Sequence, residues 1–389
     1  MSSTPLSPPL PQPDADARAH CDRVVSRIVT EIEAAGGWIS FARYMELALY
    51  APGLGYYAGG AAKLGAAGDF VTAPELSPLF GRALAAFADE VLARVEGEIF
   101  ELGAGSGRLA LDMLRELERL GRLPSRYAIL ETSPDLRARQ RALLHAQAPH
   151  LLARVEWLEA LPASFSGLVL GNEVLDALPA HLVRWRHGEV WERGVSWGET
   201  GFAWEDRPLA DGELRRAALA IAPAGEDYQS EINLAAPALV ASLGERLTRG
   251  VLLFVDYGFP RAEYYHPQRH MGTLRAHYRQ HALDDPFFMP GLADLTAHVD
   301  FSAVARAADE AGLDLLGYAS QGNFLLELGL LDAMRELTPG SVDMLRAAAA
   351  VGKLVQPHEM GELFKVIALG RGVAKALPGF RRGDRRGAL

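Results

Sequence analysis

Short apolar runs recur through the central part of the chain, and several of them end in an acidic or polar residue. The first two runs are each followed by a segment with apolar residues at helical spacing. The runs that predict strands are residues 99–102, 127–131, 155–158, 168–171, 251–256, 313–319 and 363–369. Strands that alternate with helices in this way are typical of an α/β fold with a parallel sheet.

The part of the chain before this alternation reads as helical. Apolar spacing predicts three helices, over residues 17–35, 40–48 and 79–93. Between the last two helices, residues 52–77 have no regular period and are dense in glycine and proline. We expect this segment to be a lid over a ligand site, with Asp69 and Glu75 as its polar groups. A cluster of surface turns is the alternative.

The alternation breaks again after the fourth strand. Three runs rich in tryptophan predict an antiparallel meander: 182–185, 190–197 and 202–204. We interpret these tryptophans as packing residues. Further helices are predicted over 211–220, 231–249 and 301–311. Residues 263–300 form a second irregular segment, in which the spacing of His and Asp matches no standard zinc pattern. We therefore predict no metal site.

A glycine turn follows the first of the central strands. Gly103, Gly105 and Gly107 stand at alternate positions, and Glu101 precedes them in the strand. A dinucleotide fingerprint needs glycine at the sixth position, where this chain has Arg108. The variant instead resembles motif I of class I S-adenosylmethionine (SAM) methyltransferases. A plain strand–helix turn is the alternative interpretation.

The second strand ends in another acid. Glu131 comes some twenty residues after the glycine turn, where a carboxylate can accept hydrogen bonds from both hydroxyls of a ribose. Alternatively, Glu131 only places a negative charge at the start of the next helix. Together with Glu101 and the glycines, it predicts a nucleoside-binding domain.

Polar residues follow the fourth strand at Asn172, Glu173 and Asp176. Ligands of an open parallel sheet bind beyond the carboxyl ends of its strands, so we expect chemistry at these positions. For Asp176 the alternative is an N-cap of the next helix.

Charge and composition narrow the possible functions. The 389 residues carry a net charge of −10, which argues against a broad nucleic-acid surface. The single cysteine, Cys21, permits no intrachain disulfide and fits a reducing compartment. No apolar run is long enough to span a bilayer, and the N-terminus lacks the order of a signal peptide. We therefore expect a soluble, cytoplasmic protein.

Seven motifs, in order from about residue 24 to 370, resemble the MidA family. They are Gly55-Tyr56-Tyr57, Gly68-Asp69-Phe70-Val71-Thr72-Ala73-Pro74-Glu75, Glu101-Leu102-Gly103-Ala104-Gly105-Ser106-Gly107, Asn172-Glu173-Val174-Leu175-Asp176-Ala177-Leu178-Pro179, Asp256-Tyr257-Gly258, Arg269-His270-Met271-Gly272-Thr273-Leu274 and Asp294-Leu295-Thr296-Ala297-His298-Val299-Asp300-Phe301. The resemblance implies a Rossmann-like class I methyltransferase sheet with helices on both faces, and SAM as cofactor.

The expected organisation follows from this resemblance. A disordered tail covers 1–16, a helical and lid segment 17–95, the methyltransferase domain 96–370 and a basic tail 371–389. The domain contains α+β insertions at about 180–250 and 257–300. These insertions suggest a cleft for a protein and leave a homodimer open.

We assign candidate roles to eleven residues. The cofactor site is expected to contain Gly68, Asp69, Glu101, Gly103, Gly105, Gly107, Glu131 and Asn172. Because two carboxylates can grip a guanidinium and aim its third nitrogen, Glu173 and Asp176 are the catalytic candidates, with Glu75 in reserve.

Mitochondrial members of the resembled family are complex I assembly factors that methylate arginine. The resemblance thus implies symmetric dimethylation of an arginine in a partner protein such as a respiratory-chain subunit. It places the protein in the cytoplasm of a bacterium, or in the mitochondrial matrix of a eukaryote. Methylation of a small molecule or a nucleic acid, and a non-catalytic assembly scaffold that binds SAM, remain as alternatives.

Overall fold

A computed structural model describes residues 10–59, 72–221, 223, 227–374 and 376–389. The helices are α1 (Ala15–Ala34), α2 (Phe41–Tyr50), α3 (Ala73–Leu76), α4 (Pro78–Arg94), α5 (Arg108–Arg119), α6 (Pro134–Gln147), α7 (Glu213–Ile221), α8 (Ala235–Arg246), α9 (Arg261–Tyr264), α10 (Phe301–Glu310), α11 (Gln321–Glu327), α12 (Leu330–Arg335) and α13 (Val342–Val355). The strands are β1 (Ile39–Ser40), β2 (Glu98–Leu102), β3 (Tyr127–Leu130), β4 (Val155–Leu158), β5 (Phe165–Asn172), β6 (His181–Arg186), β7 (Glu189–Gly198), β8 (Gly201–Pro208), β9 (Asp227–Ile232), β10 (Leu247–Phe259), β11 (Arg275–Tyr278), β12 (His281–Leu283), β13 (Asp294–Thr296), β14 (Val299–Asp300), β15 (Asp314–Ser320) and β16 (Phe364–Arg371).

The main sheet has the order β4-β3-β2-β5-β10-β16-β15, with β14 beside the end of β10. Its strands from β4 to β10 are parallel, and β16 runs antiparallel to both of its neighbours. This arrangement confirms the predicted Rossmann-like sheet.

Helices cover both faces of this sheet, which explains why its strands are apolar throughout. Along β5, Leu168 and Leu170 belong to one core, against α4 and α5, while Val169 belongs to the other, against α8 and α10. A strand that is buried on both faces has no polar side to show in its sequence. The continuous apolar runs are therefore the signature of this sheet.

The insertions contain more strand than the sequence predicts. The meander of β6, β7 and β8 is confirmed, and it forms a second, antiparallel sheet with β1 and β9. Strand β9 overlaps the start of the helix predicted over 231–249, which begins only at Ala235. The irregular segment 263–300 contains a third sheet, β12-β11-β13. The prediction was wrong at β9 because its pairing partner, β6, lies some 45 residues away in the chain.

The two ends of the chain are packed where the structure describes them. Asp14 caps α1 by accepting the backbone N–H of Ala17 at 2.8 Å. The helix therefore begins inside the range 1–16 that was predicted as a disordered tail. Residues 1–9 of that range lie outside the described residues. In the basic segment 371–389, Leu377 and Phe380 are buried against the main core. The domain boundaries themselves stay a prediction.

Within the described ranges, no helix is both long and apolar enough to cross a membrane.

Candidate active site

A cavity of about 400 Å³ opens at the carboxyl ends of β2, β3, β5 and β10. Eight of the predicted site residues line it: Glu75, Glu101, Gly103, Gly105, Glu131, Asn172, Glu173 and Asp176. Gly107 is not part of the lining. It is the N-cap of α5. Gly68 and Asp69 lie outside the described residues. The cavity has two ends, one formed by the glycine turn and one formed by the polar residues after β5.

The glycine turn passes directly from β2 into α5. Gly103 has a φ of +59°, in the left-handed region that residues with a side chain rarely adopt. Its N–H donates to the carbonyl of Leu130 at 3.1 Å, which holds the turn against β3. The hydroxyl of Ser106 donates to the carboxylate of Glu75, on α3. Glu75 therefore belongs to the glycine end of the cavity and not beside Asp176.

Glu131 is held in place at the end of β3. Its carboxylate accepts the backbone N–H of Ser133 at 2.9 Å and the side-chain amide of Gln140 at 3.2 Å. Burial raises the pKa of Glu131. Ser133, two residues further on, is the N-cap of α6. Glu131 precedes the helix and faces the cavity, where its remaining lone pairs can accept ligand hydroxyls.

Gln140 is a site residue that sequence reasoning missed. It is completely buried, and its amide also donates to the carbonyl of Gly105 at 2.9 Å. Its carbonyl accepts the indole N–H of Trp157 at 2.8 Å, so every polar atom of the side chain has a partner. In the sequence, Gln140 could have been noticed as a polar residue at helical spacing between the apolar residues Leu136 and Leu144.

Glu101 approaches the cavity from beneath the glycine turn. Its side chain is buried, and it accepts the hydroxyl of Tyr127 at 2.7 Å. Burial raises the pKa of Glu101 to about 7, and the charge of nearby Glu131 adds to the rise. A cation bound at this end of the cavity would lower the pKa of Glu101, and the ionised carboxylate would in turn stabilise the bound cation.

The other end of the cavity is built on the turn after β5. Glu173 has a φ of +53°, an unfavourable conformation for a residue with a side chain. The side-chain amide of Asn172 donates to its carboxylate at 3.2 Å, and the backbone N–H of Ala73 also donates to it. Burial, together with the charges of Asp176 and Asp294, raises the pKa of Glu173 to about 8. Backbone strain of this kind concentrates at functional sites.

Two more carboxylates complete this end. Asp176 is buried and accepts the hydroxyl of Tyr257, and burial raises its pKa to about 6. The residues around it form a turn and no helix, which excludes the N-cap interpretation. Asp294, on β13, accepts the hydroxyl of Tyr57 at 3.0 and 2.9 Å. We did not assign Asp294 to the site, although it stands in one of the seven motifs.

The lining is strongly acidic. It carries six carboxylates, on Glu75, Glu101, Glu131, Glu173, Asp176 and Asp294, and no Lys, Arg or His among the residues that the structure describes. Tyrosines 50, 56 and 57 form an aromatic wall beside these acids, with Tyr50 stacked on Tyr57 at 5.5 Å. A cleft with charge of one sign concentrates ligands of the opposite sign. The cavity is therefore suited to cationic ligands.

The glycine end fits SAM. Glu131 offers acceptor positions for the ribose hydroxyls, and the turn at Gly103 leaves room for the ligand because no Cβ stands there. The Oδ1 atom of Asn172 is buried and has no hydrogen-bond partner within the described ranges, which suits a donor such as the ammonium group of the cofactor. In the described part of the chain, no three His, Cys, Asp or Glu residues are placed to hold a metal ion.

Replacement of Gln140 by leucine is expected to raise the Kd for SAM about tenfold, because Glu131 loses one of its two hydrogen-bond donors and the indole N–H of Trp157 is left unpaired. Isothermal titration of the purified variant with SAM measures the change. The control is Q147L, on the exposed last turn of the same helix, which should bind like the wild type. Equal affinities of Q140L and Q147L would contradict this role.

Comparisons with known proteins agree with SAM as the cofactor. Residues 79–319 match the family model Methyltransf_28, which describes S-adenosyl-L-methionine-dependent methyltransferases. The chain is 50% identical to a Burkholderia thailandensis protein crystallised with S-adenosyl-homocysteine, with a TM-score of 0.94 over 98% of this chain and 100% of that one. It is 30% identical to the mitochondrial protein arginine methyltransferase NDUFAF7 homolog of Drosophila melanogaster, over 95% of this chain and 90% of the relative. It is 31% identical to the mitochondrial NDUFAF7 of Danio rerio, over 89% of this chain and 86% of the relative.

Proposed function

Because the chain belongs to the MidA-type family of SAM-dependent methyltransferases, we propose that it transfers the methyl group to arginine side chains of a partner protein. The observation that carries the proposal is the triad of Glu173, Asp176 and Asp294 at the end of the cavity away from the glycine turn. A cavity end lined by three carboxylates favours a cationic acceptor, and arginine offers a planar, permanently charged one. The names of the relatives as protein arginine methyltransferases support the same substrate class.

Bound SAM supplies an electrophilic methyl group on a sulfonium. The protein must then aim one guanidinium nitrogen at that methyl, so positioning is the main requirement. A delocalised guanidinium is a weak nucleophile. Glu173 and Asp176 hold two of its nitrogens and draw positive charge toward them, which leaves the third nitrogen more nucleophilic. We keep Glu75 out of this step, because its hydrogen bond with Ser106 ties it to the glycine turn.

We further propose that the product is symmetric dimethylarginine and that the partner is a subunit of a respiratory complex. This would place the protein in the bacterial cytoplasm, or in the mitochondrial matrix of a eukaryotic cell. Identification of the methylated protein and of the pattern of methylation on its arginine tests both parts.

The acceptor class is tested by binding to the protein saturated with S-adenosyl-homocysteine. A set of peptides that contain arginine should bind. The same peptides with lysine in place of arginine should bind at least about tenfold more weakly, because an ammonium group lacks the planar set of N–H donors with which a guanidinium bridges two carboxylates. A preference for the lysine peptides, or for neither set over a peptide without a basic residue, would overturn the assignment.

The pKa of Glu173 makes the activity dependent on pH. Glu173 is protonated below about pH 8 in the free protein, and only its ionised form attracts a guanidinium. We therefore expect kcat/KM for an arginine peptide to rise with pH up to about 8, and to change about tenfold per pH unit well below that pH. Initial rates at saturating SAM between pH 6.5 and 9 measure the profile. A profile that is flat over this range would show that Glu173 does not titrate in the acceptor site.

A further inference from the structure

The motif Asp256-Tyr257-Gly258, near the end of β10, has no assigned role in binding or transfer. Asp256 is completely buried beneath the turn that carries Glu173 and Asp176. Gly258 lies against the backbone of β14, and a Cβ there would come within 2.1 Å of the Val299 carbonyl oxygen. The glycine is explained by this close approach, which leaves Asp256 and Tyr257.

Asp256 fixes the path of the turn. Its Oδ2 atom accepts three consecutive backbone N–H groups, those of Val174, Leu175 and Asp176, at 3.2, 2.9 and 3.3 Å. Its Oδ1 atom accepts the backbone N–H of Tyr257 at 3.0 Å. Each of these hydrogen bonds needs an acceptor at the carboxylate, so the turn is tied to β10 through one side chain.

Tyr257 fixes the side chain of Asp176. Its hydroxyl donates to Oδ2 of Asp176, and its ring packs edge-on between His298 at 5.1 Å and Phe364 at 5.3 Å. The other carboxylate oxygen of Asp176, Oδ1, is buried and has no hydrogen-bond partner among the residues that the structure describes. Asp176 lines the cavity, so one of its oxygens is committed to Tyr257 and the other is left for a ligand.

From this geometry, and resting on the proposed function, we propose that Asp256 and Tyr257 are positioning residues which orient Asp176 to accept the proton that the arginine loses. The N–CH₃ bond forms as the S–CH₃ bond breaks, and the methylated nitrogen then loses one N–H proton. Oδ1 of Asp176, which holds the neighbouring nitrogen of the guanidinium, takes up that proton. The product keeps one positive charge, the sulfur becomes neutral and the carboxylate is neutralised, so atoms and charge balance.

The groups around Asp176 are suited to this role. Glu173, Asp294, Tyr50 and Tyr57 line the same cavity as Asp176, and the carboxylate of Asp256 lies against the backbone of the turn. Among the described residues, no Lys, Arg or His side chain lines the cavity, so none of these side chains disfavours protonation of Asp176 from within the cavity.

Replacement of Tyr257 by phenylalanine tests the proposal because it removes only the hydroxyl. The hydrogen bond from Tyr257 lowers the pKa of Asp176, so its loss should raise that pKa by about one unit. Carbon-13 NMR of the aspartate carboxyls, with the Asp176 signal assigned from D176N, measures the pKa with no substrate present. In the same variant kcat for methyl transfer should fall at least about tenfold while the Kd for SAM stays within twofold.

The control is Y318F, since Tyr318 is also buried, lies outside the cavity lining and has a hydroxyl with no hydrogen-bond partner among the described residues. It should leave activity and the Asp176 titration unchanged, and melting temperatures of both variants report on folding. In a D176N background, Y257F should cause no further loss of kcat for methyl transfer. An unchanged Asp176 pKa in folded Y257F, or an additive loss in the double variant, would overturn the proposal. Wild-type protein that methylates no arginine would instead refute the proposed function.

Discussion

Replacement of Glu173 by glutamine is expected to lower kcat for methyl transfer at least about 10³-fold, because the acceptor end loses the charge that holds and polarises the guanidinium. Glutamine has nearly the same shape and still offers an acceptor to the backbone N–H of Ala73. The glycine turn and Glu131 are untouched by the change, so the Kd for SAM should stay within about twofold. A methyl-transfer assay and a SAM titration on the same preparation separate the two effects.

A matched variant is E199Q, in the exposed turn between β7 and β8, which should retain full activity. If E173Q kept wild-type turnover, the acceptor would not be held by this carboxylate. If it lost turnover and SAM binding together, Glu173 would belong to the cofactor end instead.

The second large effect is expected from Gly103→Val, which should weaken SAM binding at least about 100-fold, or about 2.7 kcal/mol. At a φ of +59° a β-branched residue is strained, and its methyl groups would project from the turn that borders the cofactor. The nearest atom to an added Cβ is 3.7 Å away, on Val174, so the protein can accommodate the side chain without a direct clash. The loss should therefore appear in binding more than in folding.

Gly121 provides the control for backbone strain. It has a φ of +71° after the end of α5, and an added Cβ there would meet no atom within 4 Å. Gly121→Val should lower the melting temperature by about as much as Gly103→Val does, and it should leave the Kd for SAM unchanged. Equal losses of SAM affinity in both variants would assign the effect of Gly103→Val to general destabilisation.

The parallel sheet could be predicted from sequence because its signals are local. A strand buried on both faces is apolar along its whole length, and the glycine turn follows directly after one such strand. That Glu131, Asn172, Glu173 and Asp176 share one cavity could be predicted because parallel strands bring their carboxyl ends to one edge of the sheet.

The elements that sequence reasoning missed depend on distant partners. Strand β9 carries Glu231, a buried carboxylate that accepts the backbone N–H groups of Thr273 and Leu274 at 2.9 and 3.0 Å. Tyr257 meets Asp176 from 81 positions away, and Tyr57 meets Asp294 from 237 positions away. No local period encodes such pairs, so only the folded chain shows which side chain orients which.

The claim that the chain is a protein arginine methyltransferase is tested most directly by the identity of the methylated residue. Purified protein would be incubated with SAM labelled in its methyl group and with an extract of cells that lack this protein, and the protein fraction would then be hydrolysed to amino acids. We predict label in symmetric dimethylarginine, at least about 100-fold above the level with E173Q. Label in methyl-lysine or in the small-molecule fraction, or none above the level with E173Q, would contradict the account.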